Sequence, residues 1–256
     1  MRKIMTQKKL NKVLEDHEAW LENPKEGKCA DLSYCYLAGL KFGRRTLRQA
    51  NLEGAVLCNA NLAKVDLSMA NLADANLSGA VLFKAQLRSA LLNRTAFVGA
   101  VCDETDFSYA QFSNADALNA DMQNCKFVGC VMKGSRFDHA RMSASDFSKA
   151  ILDNSQFLNT DLSFAKLQKV KARQIRARRV NLEAADLREA DLRGSDLRDA
   201  RIKNASFLKA RIKGITCNKR IETLPVSTNE NSLTLLVLDC AEKALKKRKK
   251  VKAVAK

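Results

Sequence analysis

The sequence places a hydrophobic residue at every fifth position from Leu32 to Cys217, without a change of register. We call these residues the centres of the repeats, and thirty-eight of them follow one another. A small residue stands two positions before most centres, as Ala50 does before Leu52. A period of five fits neither an α-helix, with about 3.6 residues per turn, nor a strand, with a period of about two. Such regular self-similarity predicts a repeat architecture.

A chain that turns a corner every five residues closes a square after four repeats, if the centre and the small residue both face inward. One coil then takes about twenty residues, and the next coil stacks on it at a strand spacing of about 4.8 Å. Thirty-eight repeats make nine to ten coils, which predicts a rod about 45 Å long. The small residue must be small because it shares the corner with the bulky centre.

Glycine and asparagine concentrate two residues after a centre, where the corners are expected. Eight of the ten glycines lie at this phase, and both residue types tolerate the positive φ of tight turns. The only two prolines, Pro24 and Pro225, lie outside the repeats, as expected if coil amides are used in ladder hydrogen bonds. The residues at the corner phase are Gly39, Gly54, Gly79, Gly99, Gly129, Gly134, Gly194, Gly214, Asn59, Asn114, Asn119, Asn124, Asn154, Asn159 and Asn204.

Several repeats share the motif Ala-(Asp/Asn)-Leu-x-x, as at residues 50–52, 60–62 and 185–187. This motif resembles that of pentapeptide-repeat proteins, and the similarity extends over residues 30–217. The resemblance implies an all-β solenoid, a right-handed quadrilateral β-helix. It also implies a homodimer, because related proteins are often dimers through the C-terminal end.

The centres change from leucine to phenylalanine in the middle of the repeats. Phe107, Phe127 and Phe147 are twenty residues apart, so they are predicted to stack on one interior face. Phe137 and Phe157 are predicted to do the same on a neighbouring face. We interpret these rings as core packing and predict no cofactor.

Residues 1–29 are predicted to form an N-terminal amphipathic capping helix and a linker. Apolar residues at i, i+3, i+4 and i+7 predict the helix over residues 7–22. The open end of a β-helix exposes unpaired backbone and an apolar interior, so this helix is expected to cover it. His17 and Trp20 are interpreted as residues of this cap, and Trp20 is a candidate for capping or dimerisation.

The charge of the repeats becomes strongly positive toward the C-terminus. Residues 30–163 carry thirteen basic and thirteen acidic residues, whereas residues 164–217 carry fifteen and six, a net charge of +9. The densest part, residues 169–179, has small centres at Ala172 and Ala177. It is predicted to be a regular coil in which larger residues at the small-residue positions fill the volume that the two alanines leave. A projecting ten-residue loop is the alternative. Either arrangement presents a basic patch.

If the coils are regular, residues twenty apart are vertical neighbours. One column then contains Arg173, Arg193 and Lys213, and a second contains Arg178 and Arg198. Such columns bind anions or form a solvated surface of weak ion pairs, and the sequence leaves both readings open. The candidate anion- or nucleic-acid-binding residues are Lys169, Lys171, Arg173, Arg176, Arg178, Arg179, Arg193, Arg198, Lys213, Lys246, Lys247, Arg248, Lys249 and Lys250.

Residues 218–256 are predicted to be a linker and a basic C-terminal helix or tail. The part that begins at Ser232 starts apolar and ends in a run of lysine and arginine, which predicts a helix with cations at its negative end. A strand over residues 233–238 is the alternative. The candidates for dimerisation or capping here are Leu235, Leu236, Leu238 and Leu245.

The sequence contains no motif for catalysis, metal binding or phosphate binding, and only two histidines. We therefore predict a non-enzymatic binding scaffold, without a cofactor or small-molecule substrate, that engages an acidic partner through its basic C-terminal quarter and tail. The partner is a nucleic acid or an acidic protein surface. Because few aromatic residues are expected on the outside, nucleic acid would be bound through its backbone, with strong salt dependence.

Two alternatives for the function remain. The resemblance suggests a protein that binds DNA gyrase, a topoisomerase, and protects it; that role is associated with an acidic rod, from which this basic chain departs. The other alternative is an effector or phage accessory protein that binds a host protein. The sequence has no apolar stretch long enough for a transmembrane helix, and five of its eight cysteines occupy centre or small-residue positions of the repeats. These features favour the cytoplasm, or translocation to a host cell.

Overall fold

The structure, a computed structural model, describes residues 3–217. It begins with α1 (Gln7–Glu22) and continues as a stack of β-coils from Asp31 to Thr216. The predicted C-terminal helix lies outside the described residues. With it lie the predicted candidates Leu235, Leu236, Leu238, Leu245, Lys246, Lys247, Arg248, Lys249 and Lys250.

Each coil takes twenty residues and has four sides. Single-residue parallel β-bridges join Asp31 to Asn51, Asn51 to Asn71, and so on up to the bridge from Asp196 to Thr216. Four bridges per coil make four faces, which we number in chain order. Face 1 carries the bridges of residues 31 to 211, face 2 those of residues 36 to 216, face 3 those of residues 41 to 201, and face 4 those of residues 46 to 206. The predicted four-sided coil is confirmed.

The interior of the rod consists of the centres and the small residues before them. Every centre from Leu32 to Phe207 is at most 7% exposed, and Ile212 and Cys217 are partly buried. At most corners the amide three residues after the centre donates to the carbonyl of the centre, as when the Ala50 amide donates to the Leu47 carbonyl at 3.1 Å.

The corners lie where glycine and asparagine predict them, because the residue two after the centre has a positive φ. This holds at every corner from Tyr34 to Gly214 except one, where Gly43 takes the left-handed conformation one residue early. Such a φ at the third residue of the turn is the geometry of a type II turn. Residues such as Lys64 and Met69 also adopt it, at 62°, so the corners recur even where the sequence gives no signal.

Residues 169–179 form a regular coil, and the alternative of a projecting loop is wrong. Ile151 pairs with Lys171, which in turn pairs with Asp191, in the same register as elsewhere. Ile175 and its equivalents in the neighbouring repeats are buried and replace the volume that Ala172 and Ala177 lack. The exchange is incomplete, since an apolar cavity of about 20 Å³ remains among these side chains.

Both phenylalanine stacks are confirmed, but their predicted position on neighbouring faces is wrong. Phe107, Phe127 and Phe147 lie on face 4, opposite face 2, which carries Phe137 and Phe157, because two repeats turn the chain through half of the coil. The ring centroids of Phe107 and Phe127 are 5.0 Å apart, and those of Phe127 and Phe147 are 4.8 Å apart, with near-parallel planes. Phe137 and Phe157 stack at 5.2 Å on face 2. These offset contacts add to the stabilisation from buried apolar area.

Helix α1 closes the N-terminal end of the rod, as predicted. Its residues Leu10 and Leu14 are buried in the same core as the first centres. Ahead of the helix, Ile4 forms a parallel bridge with Tyr36. Gly27 lets the following segment approach α1, since a Cβ there would lie 2.2 Å from the Asp16 carbonyl oxygen.

Candidate binding surface on the C-terminal coils

Face 1 gathers the largest group of cations on the C-terminal coils. Arg173, Arg193 and Lys213 each stand two residues after a bridging residue of this face, so they form one row along the rod. The bridging residues are Lys171, Asp191 and Arg211. Between residues 171 and 214 the face therefore carries five cations and one carboxylate, a formal excess of four positive charges. Our sequence-based candidates omit Arg211, although the twenty-residue register could have revealed it.

Carboxylates hold two of these arginines in place. Arg193 donates to both oxygens of Asp191, from Nε at 2.7 Å and from Nη2 at 2.6 Å. Arg173 donates from Nε to Asp153 Oδ1 at 3.1 Å, and its Nη2 also contacts that carboxylate. Bidentate pairs of this kind fix the guanidinium plane, so the row of arginines is preorganised.

The same pairs control the ionisation of the carboxylates. The hydrogen bond from Arg193 holds the pKa of Asp191 below its ordinary value, and the charges of Arg193 and Arg211 add to this effect. Asp191 therefore stays ionised at neutral pH and cancels one positive charge of the row. Lys171 and Lys213 have no carboxylate within ion-pair distance among residues 3–217, and they supply the free charge of the face.

Face 2 carries three arginines on one repeat, of which only one is paired. Arg178 Nε donates to Asp196 Oδ2 at 2.7 Å. Arg198 donates to both oxygens of the same carboxylate, from Nε at 2.8 Å and from Nη2 at 2.6 Å. The guanidinium groups of Arg176 and Arg179 are exposed, and within the described coils neither has a carboxylate partner.

The basic segment 169–179 does not form a single patch. It runs around the rod from face 4 through face 1 to face 2, because each repeat of five residues turns one corner. Lys169 lies at face 4, where its Nζ is 3.7 Å from Glu189 Oε2, and it is separated from Arg178 by the width of face 1. The candidates are contiguous in sequence, but the fold distributes them over three sides.

We find nothing resembling a catalytic site in the part of the chain that the structure describes. No group of three or more histidine, cysteine, aspartate or glutamate side chains in residues 3–217 could hold a metal ion. Cys102, Cys125 and Cys130 are buried free thiols, and burial raises the pKa of Cys130 to about 12. A thiol in this state is not a nucleophile at neutral pH.

His17 and Trp20 belong to the cap and not to the basic surface. The His17 ring is fully buried, and its Nδ1 accepts a hydrogen bond from the Ala30 amide at 3.0 Å. Trp20 stacks on His17 with a centroid distance of 5.6 Å. No helix among the described residues has both the length and the apolar character needed to cross a bilayer.

A parallel β-coil with a packed interior and chemically varied outer faces defines a solenoid scaffold. The family model for pentapeptide repeats matches this chain with eight copies, and the protein therefore belongs to the pentapeptide-repeat family. Solved members of this family form right-handed β-helices. The matched segments are residues 46–79, 80–122, 118–154, 140–176 and 178–214.

Three solved structures illustrate the similarity to other members. HetL from Nostoc sp. strain PCC 7120, described as involved in regulation of heterocyst differentiation, is 21% identical over 76% of this chain and 94% of its own, with a TM-score of 0.35. Trypsin-treated QnrB1, a plasmid-mediated fluoroquinolone resistance protein, is 15% identical over 80% and 88%, with a TM-score of 0.48. Rfr23 from Cyanothece 51142 is 28% identical over 35% and 60%, with a TM-score of 0.34. No curated protein matches the chain.

Proposed function

We propose that the protein is a non-enzymatic binding scaffold that engages an acidic partner through face 1 of its C-terminal coils. The observation that carries this proposal is the formal excess of four positive charges that face 1 carries between residues 171 and 214. Asp153 of the same face pairs with Arg173, whereas Lys171 and Lys213 have no carboxylate partner among residues 3–217. The basic residues Lys246, Lys247, Arg248, Lys249 and Lys250, outside the described part, are included as further cations.

The rigidity of the face supports this role. Successive coils place the cations of the row about 4.8 Å apart, and the pairs with Asp153 and Asp191 orient Arg173 and Arg193 before a partner arrives. Little side-chain entropy is then lost on binding. Localised positive potential accelerates association with an acidic partner, and salt weakens the interaction.

The unpaired lysines provide the sharpest test. We expect the double variant Lys171→Glu, Lys213→Glu to weaken binding of a fluorescein-labelled 20-base-pair DNA duplex and of labelled polyglutamate by about tenfold or more. The matched control is Lys64→Glu, Lys126→Glu, which changes the net charge equally on the neutral coils. Fluorescence anisotropy at increasing salt measures both. Equal losses in the two variants, or affinity independent of salt, would contradict the proposal.

The gyrase alternative is tested separately. If the protein altered DNA supercoiling by purified gyrase, or protected gyrase from a quinolone, while the lysine variants did so equally well, the alternative would be favoured.

The predicted homodimer also stays a prediction, since its candidates lie outside the described residues, apart from Trp20. Sedimentation of the full chain, with and without residues 232–256, measures the oligomeric state.

A further inference from the structure

An open cavity of about 500 Å³ lies on face 2, beside the corner formed by Gln174 and Gly194. Leu158, which is 38% exposed, provides its apolar floor, and Ile175 lines it as well, although the Ile175 side chain is buried in the interior of the rod. Gly194 leaves space beside Gln174, because it has no side chain and a Cβ there would approach Gln174 Cγ to 3.3 Å. Its φ of +73° also favours glycine at this corner. The volume lies within the range of about 300–1,000 Å³ that is typical of ligand sites.

Three polar side chains line this cavity without hydrogen-bond or ion-pair partners among residues 3–217. They are Arg176 and the carboxamides of Gln156 and Gln174, whereas Arg178 is paired with Asp196 at 2.7 Å. A guanidinium group offers five N–H donors, and each carboxamide offers two donors and one acceptor. The cavity therefore combines an apolar floor with unused hydrogen-bonding groups.

The charges that line the cavity indicate which acidic ligand suits it. Arg176 and Arg178 are balanced by Asp138 and Asp196, so the lining residues carry no net charge and a polyanion gains little there. Aromatic side chains, on which nucleotide bases stack, are absent from the described residues that line it. The single free guanidinium suits one carboxylate, and the apolar floor suits an adjoining aliphatic group.

We infer that this cavity binds a short peptide segment of an acidic protein partner. A carboxylate of the peptide pairs with Arg176, and a neighbouring aliphatic side chain packs on the exposed side chain of Leu158. Gln156 and Gln174 hydrogen-bond the peptide backbone. The inference rests on the proposed function and deepens it: face 1 attracts the acidic partner by charge, and the cavity selects a protein over a nucleic acid.

The test uses the full chain and two labelled peptides, each with one glutamate in an otherwise uncharged sequence. Leucine flanks the glutamate in one peptide, and serine flanks it in the other. Arg176→Gln is expected to weaken binding of the leucine–glutamate peptide by about tenfold, because it removes one charge-assisted ion pair. Arg179→Gln is the matched control, since it removes an unpaired arginine of the same repeat that does not line the cavity, and it is expected to have less than about a threefold effect. Leu158→Ser is expected to weaken only the leucine-containing peptide.

Equal losses in the Arg176 and Arg179 variants would overturn the inference, and so would an equal loss of duplex DNA binding in Arg176→Gln. The failure of the cavity and the failure of face 1 are distinguishable. If the double variant Lys171→Glu, Lys213→Glu weakens the binding of every acidic probe while Arg176→Gln weakens the binding of none, the proposed function stands and the cavity inference fails. If neither variant weakens any probe, both fail. Unfolding midpoints show whether each variant is folded.

Discussion

At the scale of single residues, the interior packs by exchange of volume between neighbouring repeats. Ala117 leaves a gap on face 2 between Phe97 and Phe137, and Phe112 from face 1 fills it. The Phe112 ring stacks on Phe97 with a centroid distance of 5.1 Å and on Phe137 with 5.9 Å. The sequence-based stacks omitted this ring because the twenty-residue spacing links only residues of the same face.

This arrangement predicts strong coupling between Phe112 and Ala117. Ala117→Leu is expected to destabilise the protein by about 1–3 kcal/mol, because the larger side chain meets the Phe112 ring in a packed core. Phe112→Leu alone leaves a cavity and lowers the free energy of unfolding as well. The double variant should lose less than the sum of the two, with a coupling of about 0.5–3 kcal/mol in denaturant unfolding. Additive losses would show that the two sites pack independently.

A second residue-scale prediction concerns the pH dependence of the cap. Burial lowers the pKa of His17 from its ordinary 6.5, against smaller opposing contributions from the Arg48 carbonyl and Glu18. The neutral ring is the folded form, since Nδ1 accepts from the Ala30 amide. The unfolded chain therefore binds the proton first, so stability is full above about pH 6.5 and falls as the pH decreases toward the folded pKa.

We expect the unfolding midpoint to decrease between pH 7.5 and pH 5, and this decrease to be smaller in His17→Gln. His139→Gln is the control, because His139 is the only other histidine and lies exposed at a corner. An unchanged pH dependence in His17→Gln would assign the effect to another group.

At the scale of elements, α1 and the segment before it take the position that a preceding coil would occupy at the N-terminal end of the rod. Each coil bonds to its neighbours through backbone groups, and the first coil finds substitutes in the N-terminal segment. The Lys3 carbonyl accepts from the Tyr36 amide at 2.9 Å. The Gln7 carboxamide accepts from the Lys41 amide at 3.0 Å and donates to the Lys41 carbonyl at 2.7 Å. This single side chain therefore reproduces both bonds of a β-bridge.

Gln7→Ala removes both of these bonds and is expected to lower the free energy of unfolding by about 1–2 kcal/mol. Gln7→Glu keeps an acceptor but loses the donor to the Lys41 carbonyl, so an intermediate loss is expected. Lys8→Ala is the control, since Lys8 is exposed in the same turn of α1. Urea unfolding measures all three, and a Gln7→Ala variant as stable as the control would contradict this account of the cap.

At the scale of the whole molecule, the rod is quasi-one-dimensional, since each coil contacts only its neighbours along the axis. The central coils hold the stacked phenylalanines and centres with almost no exposure. Toward the end of the described coils, Leu197 and Ile202 are 6% and 7% exposed, and Ile212 is only partly buried. Local stability should therefore vary along the axis.

Native-state hydrogen exchange tests this variation. We expect the amides of residues 97–157 to exchange most slowly and those of residues 197–217 to exchange faster, because fewer buried contacts oppose local opening at the end of the described stack. Opening should progress inward from an end, as in other repeat arrays. Uniform protection along the rod would show a single cooperative unit instead.

The charge distribution also belongs to this scale. The chain has a formal net charge of +17, yet most arginines of the described C-terminal coils are paired with carboxylates of the same or the adjacent coil. Net charge therefore overstates the free positive surface. The cations of residues 164–217 that have no ion pair within the described chain are Lys171 and Lys213 on face 1, Arg176 and Arg179 on face 2, Lys203 on face 3, and Lys166 and Lys209 on face 4. Face 1 is distinguished by the largest formal excess of positive charge.

The sequence by itself determined the coil, its register, its interior and the cap. A period of five is incompatible with other regular structures, and each centre, corner and small residue depends only on its place within a repeat. For residues 169–179 the same rule favoured a regular coil, but a ten-residue loop would leave the register unchanged, so the β-bridges of the structure were needed to exclude it. The four-sided coil could thus be predicted because its rules are local.

Only the tertiary structure decided which cations are free and which share a surface. Pairs such as Arg173 with Asp153 or Arg178 with Asp196 join successive coils, so their formation depends on side-chain geometry that a repeat pattern does not specify. The same is true of Phe112 filling the gap at Ala117, of Gln7 replacing a backbone bridge, and of the cavity beside Gly194. These features depend on contacts between side chains of different repeats, and the five-residue period alone does not specify such contacts.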